Sequence, residues 1–231
     1  ADLAGKRIGV PEYQMTAAVW IRGILADEYR VPVDGVEYFT GGMEQPGRDE
    51  KLKLDLPPRI KLAPIGKKQT LSKMLAEGKI DALYSARMPS TLRTRPGAVR
   101  RLFPDYVTVE RDYYRRTKIF PIMHTVVIRR DLYAKHPWVA QSLYKAFLAA
   151  HKKAYQGLDQ SAALMAMLPW LVAHVEETRR EMGEDWWPYG VAPNRHALKT
   201  FLRYHHEQGL SRRRFAPEEL FAKETLAAFR I

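Results

Sequence analysis

The sequence predicts an α/β protein on a mainly parallel sheet, with a helix-rich second half. Three observations lead there. The stretch Gly5 to Asp27, GKRIGVPEYQMTAAVWIRGILAD, passes from a short β-forming run to a 3.6-residue period within a few positions. Short apolar runs then alternate with helical patterns as far as Ser85, and beyond Ile128 the patterns are helical.

Ile8 and Val10 belong to the first strand, which Pro11 ends. From Thr16 onward Val19, Trp20, Gly23, Ile24 and Asp27 share one side, so a helix follows a short polar turn. Val31-Pro32-Val33 breaks that helix, and Val36 to Phe39 reads as a second strand. Gly41-Gly42 opens a polar loop that runs past Lys53 to Pro57-Pro58. A loop of that length is either functional or a plain surface insertion, and Glu44, Arg48 and Lys51 are its candidate lid residues. Ile60 to Ala63 is a further strand, Thr70 caps a helix that closes near Gly78, and Ile80 to Ser85 returns as a strand. Arg95-Pro96-Gly97 is a turn.

Phe120 to Ile128, FPIMHTVVI, ends in β-branched residues and is expected to be the next strand. Pro137, at the first helical position, opens a helix with the apolar stripe Val139, Leu143, Ala146, Phe147 and Ala150. Ser161 to Met182 is expected to be a helix kinked at Pro169. Asn194 is expected to cap a helix through Leu198, Phe201, Leu202 and His205, and Pro217 to Leu220 to form a short last one.

Composition narrows the classes of function. With 46% hydrophobic and 28% charged residues, 231 residues suffice for one large or two small globular domains. No apolar run approaches the ~20 residues of a membrane span, because Lys and Arg interrupt each one. The start at Ala1 lacks a basic-then-apolar leader, which decides nothing about export. The absence of cysteine excludes disulfides, thiolate metal sites and cysteine nucleophiles, and fits a cytoplasmic location. A net charge of +12 implies attraction to anions. The basic clusters, such as Arg100-Arg101 and Arg212 to Arg214, are short and come without a helix-turn-helix, zinc or RNP-type signature, so a solvated basic surface is favoured over a nucleic-acid partner.

The turn Glu12, Tyr13, Gln14, Met15 and Thr16 sits where the first unpaired N–H groups of a helix point outward, a place suited to an anion. The alternative is an ordinary turn with Thr16 as a cap and Tyr13 in the core. Ser85 to Arg87 also follows a strand end, and in parallel α/β sheets such ends face one crevice. Arg87 there would hold a carboxylate by two parallel hydrogen bonds, or else belong to a structural ion pair. His124, between Met123 and Thr125, is either a packing residue or a proton carrier. The other histidines show no metal-binding pairing, and no dedicated metal site is expected. GxSxG, P-loop and GxGxxG motifs are absent.

In their order, the blocks LAGKRIGVPEYQMTAAVWIRGIL, YFTGGMEQPGR, LYSARMPS, RRLFPDY, IFPIMHTVVIRRDLY, HPWVAQSLYKAF, WWPYG and NRHALKTFLRY resemble the 4,5-dihydroxyphthalate decarboxylase family. The resemblance covers nearly the whole chain. It implies the two-lobed fold of type II periplasmic binding proteins, with residues 1–118 as the second lobe and 119–231 as the return to the first lobe and the C-terminal helices. Family members extend further at the N-terminus, by roughly 100 residues or the size of one small lobe.

The implied reaction turns 4,5-dihydroxyphthalate into 3,4-dihydroxybenzoate and carbon dioxide. Each carboxyl-bearing ring carbon lies para to a hydroxyl, so the ring is its own electron sink and no organic cofactor is required in principle. By residue type and placement, Arg87, Ser85, Tyr13, Gln14 and Thr16 are expected to bind the substrate, and His124 or Glu12 to transfer protons. The alternative on the same scaffold is a non-catalytic solute-binding protein for a small carboxylate. The oligomeric state stays open, a homo-oligomer included.

Overall fold

Strand β1 (Arg7–Val10) lies inside a four-stranded sheet of order β3-β2-β1-β4, in which β2 is Glu37–Thr40, β3 is Lys61–Pro64 and β4 is Ala82–Leu83. Every pairing is parallel, with Ile8 opposite Tyr38 on one side and opposite Ala82 on the other. The computed structural model describes residues 2–226. Two units divide the chain, Ala1–Tyr106 with Thr200–Phe215, and Val107–Lys199 with Ala216–Ile231.

In the first unit, helix α1 (Thr16–Tyr29) follows β1, while α2 (Leu71–Ala76) and α3 (Thr91–Thr94) flank β4 in the chain. Thr70 caps α2 by accepting the Lys73 N–H, and Gly78 ends that helix at φ +69°, a conformation that a side chain disfavours. Ile8, Val10, Ala18, Leu25 and Tyr38 form the main core, and Leu71, Met74 and Ile80 a smaller one. Trp20, 1% exposed, packs against Phe201 and meets Tyr204 edge-on at 5.8 Å. A Cβ on Gly23 would lie 2.2 Å from the Tyr204 ring, so glycine admits that ring against α1.

Arg7 and Asp81 join β1 to the approach of β4 by several bonds: the Arg7 N–H and Nε donate to Oδ2 at 2.9 and 3.0 Å, and Nη2 donates to Oδ1 at 2.9 Å. These bonds hold the Asp81 carboxyl at about 2, below its usual 3.8. A depressed carboxylate contributes stability above its unfolded value and loses it as the pH falls through the folded one. Between about pH 4 and 2 the Asp81→Asn variant is therefore expected to lose less stability than the wild type, as read by urea midpoints across that range. At neutral pH the variant should differ by no more than ~1 kcal/mol, because both side chains are partly solvated.

The second unit contains helix α4 (Tyr106–Thr117) from Val107 onward, α5 (Arg130–Lys135), α6 (Trp138–Leu158), α7 (Leu171–Met182) and the first part of α8 (Val191–Glu207). Helix α4 is tied to α7 by Arg111–Glu177 at 2.7 Å and by Arg115, whose Nε donates to Glu181 at 2.9 Å. Two 3-10 turns follow α8, Pro217–Glu219 and Lys223–Thr225.

This unit departs from the sequence expectations in four places. Phe120 to Ile128 is not a strand: the segment joins no β-ladder among the described residues, and Val127 is 86% exposed. β-Branched residues favour an extended backbone, but a strand exists only where a partner edge takes its hydrogen bonds. The helix expected from Ser161 begins at Leu171, since Pro169 supplies no N–H and restricts the residue before it. Asn194 is no cap. It lies in the first turn of α8, where its amide donates to the carbonyls of Pro188 at 2.6 Å and Gly190 at 2.9 Å. Pro137 precedes α6 as its cap residue, and in the expected stripe of that helix Leu143 and Phe147 are exposed.

Candidate functional site

From β1 the chain runs to β2 and then β3 on one side of the sheet, and returns to place β4 on the other. The carboxyl end of β1 is therefore a switch point, the usual place for a ligand in an open parallel sheet. The Glu12-to-Thr16 turn leaves that end and enters α1.

Helix α1 starts without the usual oxygen cap. Its N-cap is Met15, which makes no side-chain capping bond, and the first turn holds no acidic residue. The leading N–H groups at Thr16, Ala17 and Ala18 keep their donor capacity and the partial positive charge of the helix end. An open cleft of about 520 Å³ lies at this terminus, lined by Glu12, Gln14, Met15, Thr16, Arg48, Lys51 and Leu52. The loop after β2 brings its cations to the helix start.

Two side chains of the loop fasten it there. Arg48 donates through Nε to Glu12 Oε1 at 2.8 Å, and a second, shorter contact runs from its Nη2 to the same oxygen. Glu50 accepts the Tyr13 N–H and, at 3.4 Å, the Gln14 side-chain amide. Burial raises the Glu50 carboxyl above its ordinary range, against the opposing pull of the Tyr13 N–H, and the nearby Glu12 charge raises it further. Closer to β4, Glu44 of the same loop accepts from the Ser90 N–H at 2.7 Å and its hydroxyl at 2.8 Å.

Behind the turn lies a buried polar group. Tyr13 is fully buried and its hydroxyl donates to the Gln208 carbonyl at 3.1 Å. Arg22 stacks on the Tyr13 ring at 3.9 Å, donates through Nη2 to the Tyr13 carbonyl at 2.6 Å and through Nε to Gln208 Oε1 at 2.8 Å. Gln208 in turn donates to the Val19 carbonyl at 2.9 Å. Burial pushes the Tyr13 phenol up, although the Arg22 charge opposes it.

Of the residues singled out in the sequence, Glu12, Gln14 and Thr16 line one cleft, with Arg48 and Lys51 from the expected lid. Tyr13 stands behind that wall with its hydroxyl engaged in the core. Ser85 and Arg87 follow β4, beside β1 in the sheet, but neither lines the cleft; Ser85 Oγ contacts Met43 Sδ at 3.2 Å and accepts the Arg87 N–H, and Arg87 is exposed. His124 is exposed in the non-strand segment Phe120 to Ile128 of the second unit. Sequence reasoning missed Arg22, Glu50 and Gln208. A charge between Trp20 and Leu25 on a helix with a buried face was a signal for Arg22, whereas nothing local marked the other two.

No family model matches the chain. A 4,5-dihydroxyphthalate decarboxylase of Comamonas testosteroni is 42% identical over all 231 residues, which span 70% of that relative. A 4,5-dihydroxyphthalate decarboxylase of Pseudomonas putida is 42% identical over 115 residues, half of this chain and 45% of the relative. Identity at that level along the entire chain makes it a member of the 4,5-dihydroxyphthalate decarboxylase family.

Proposed function

We propose that the protein is a carboxy-lyase that converts 4,5-dihydroxyphthalate to 3,4-dihydroxybenzoate and carbon dioxide, and that the cleft at the start of α1 holds the substrate. The likeness to a decarboxylase along the whole chain carries this reading. The cleft suits it chemically, because an uncapped helix start and two cations face an aromatic dianion. No helix among the described residues is long and apolar enough to cross a membrane. The reading takes the enzyme to be cytoplasmic and its chain to be two-lobed, with 1–118 in the second lobe and 119–231 returning to the first.

One substrate carboxylate rests on the first-turn N–H groups and the Thr16 hydroxyl, with Arg48 and Lys51 beside it. Arg87, at the neighbouring strand end, joins the Thr16 turn in clamping this carboxylate, which is the one that stays. Glu12 accepts the proton of the hydroxyl para to the departing carboxylate, which directs electron density to the carbon that bears it. That carbon takes a proton, for which His124 is the proposed donor, and the carboxylate leaves as carbon dioxide. The electrons of the broken C–C bond return to the ring and restore its aromaticity. In sum one carboxylate and one proton become carbon dioxide and a C–H bond.

Incubation of the protein with 4,5-dihydroxyphthalate, followed by carbon dioxide release and chromatography of the product, tests the proposal. Equimolar carbon dioxide and 3,4-dihydroxybenzoate are expected. Binding without turnover would overturn the enzymatic assignment, and undiminished turnover by His124→Ala or Arg87→Ala would remove that residue from the scheme.

A further inference from the structure

Arg22 is 2% exposed, yet no carboxylate among the described residues hydrogen-bonds or ion-pairs with it. Its Nη1 is buried and has no hydrogen-bond partner. The group facing its Nε is Gln208, itself 1% exposed, so a neutral amide stands where a structural ion pair would place an acid. Glu50 attracts the guanidinium through space but makes no hydrogen bond or ion pair with it, and one Gln-to-Glu change would supply a bonded counter-charge here. Arg22 is also joined to the turn that lines the cleft. The Tyr13 carbonyl takes Nη2 and the Tyr13 ring lies under the guanidinium, while the Tyr13 N–H points to the Glu50 carboxylate.

We infer that Arg22 is a positioning residue for anion binding at the start of α1: it holds the turn by the Tyr13 carbonyl and keeps behind it a positive charge that no carboxylate bonds directly, for an anionic aromatic acid. This rests on the reading of the cleft as a carboxylate site. A purely structural arginine would gain from a counter-ion, whereas an arginine serving a bound anion would lose by one. The two roles thus differ in sign.

The Gln208→Glu variant of the full chain places a carboxylate on Arg22 without removing it. Titration with 4,5-dihydroxyphthalate is expected to show a Kd raised about tenfold, with the dimethyl ester of the same acid much less affected. The melting temperature, followed in parallel, reports the altered contact to the Val19 carbonyl. Arg22→Lys, which keeps the charge, should bind the dianion more tightly than Arg22→Met, and this pair decides the matter if Gln208→Glu does not fold. An unchanged Kd in a folded Gln208→Glu variant, or equal Kd values for the Lys and Met variants, would overturn the inference. Wild-type protein that binds the dianion without turnover defeats the enzymatic reading alone, because the variant Kd values still test Arg22; wild-type protein that does not bind it defeats both.

Discussion

Arg48→Ala is expected to lower kcat/KM for 4,5-dihydroxyphthalate by about 100-fold, mostly through KM. Two effects combine. Arg48 is one of two cations lining the cleft, so on the proposed reading its removal takes away a charge-assisted contact to the substrate carboxylate. It is also the partner of Glu12, which is 4% exposed, and without it that carboxylate is left buried and unpaired. Arg48→Lys should recover part of the loss, since it restores the charge but not the planar fork that reaches Glu12 through two nitrogens. Lys51→Ala, which breaks no ion pair among the described residues, should cost about tenfold. Initial-rate kinetics of the three variants check this ordering. Full activity in Arg48→Ala would exclude the cleft as the substrate site.

Trp20→Ala should have the largest effect on stability, a loss of about 3–5 kcal/mol. The indole is 1% exposed and sits between α1 and the late rings Phe201 and Tyr204, with centroids at 5.4 and 5.8 Å. Truncation leaves a cavity that glycine at position 23 cannot fill, and removes both ring contacts at once. A fall in melting temperature of about 10 °C follows for a chain of this size. The same packing draws residues 200–215 into the first unit, so limited proteolysis of Trp20→Ala should cut between α8 and Phe215 sooner than in the wild type. Unchanged melting and cleavage would mean that these late residues are held by other contacts, such as Arg203 and Tyr204 on Asp27.

The first unit was legible because its signals are local. Ile8 and Val10 announce a strand by residue type, Thr70 and Gly78 bound a helix by capping chemistry, and the alternation of elements implies parallel strands. The Glu12-to-Thr16 corner was equally readable, since a strand ending before a helix must expose helix N–H groups. Family membership too was legible in the order of the sequence blocks, which chain-long identity to a decarboxylase shows.

The second unit and the chemistry around the corner were less so, because they depend on partners far along the chain. Phe120 to Ile128 has the composition of a strand but joins no β-ladder among the described residues, and His124 lies exposed within it. Helix α7 begins after Pro169 rather than continuing through it, a local effect of the proline ring. Arg48 meets Glu12 across 36 residues, and Gln208 meets Arg22 across 186.

Local backbone preference, set by each residue and its near neighbours, thus determined the sheet, the first helix and the place of the turn between them. Only the tertiary structure decided which charges gather at that turn, which tyrosine is buried behind it, and that a buried arginine faces an amide. Coulombic and hydrogen-bond partners are chosen by proximity in space, and a sequence specifies that proximity only through the packed fold.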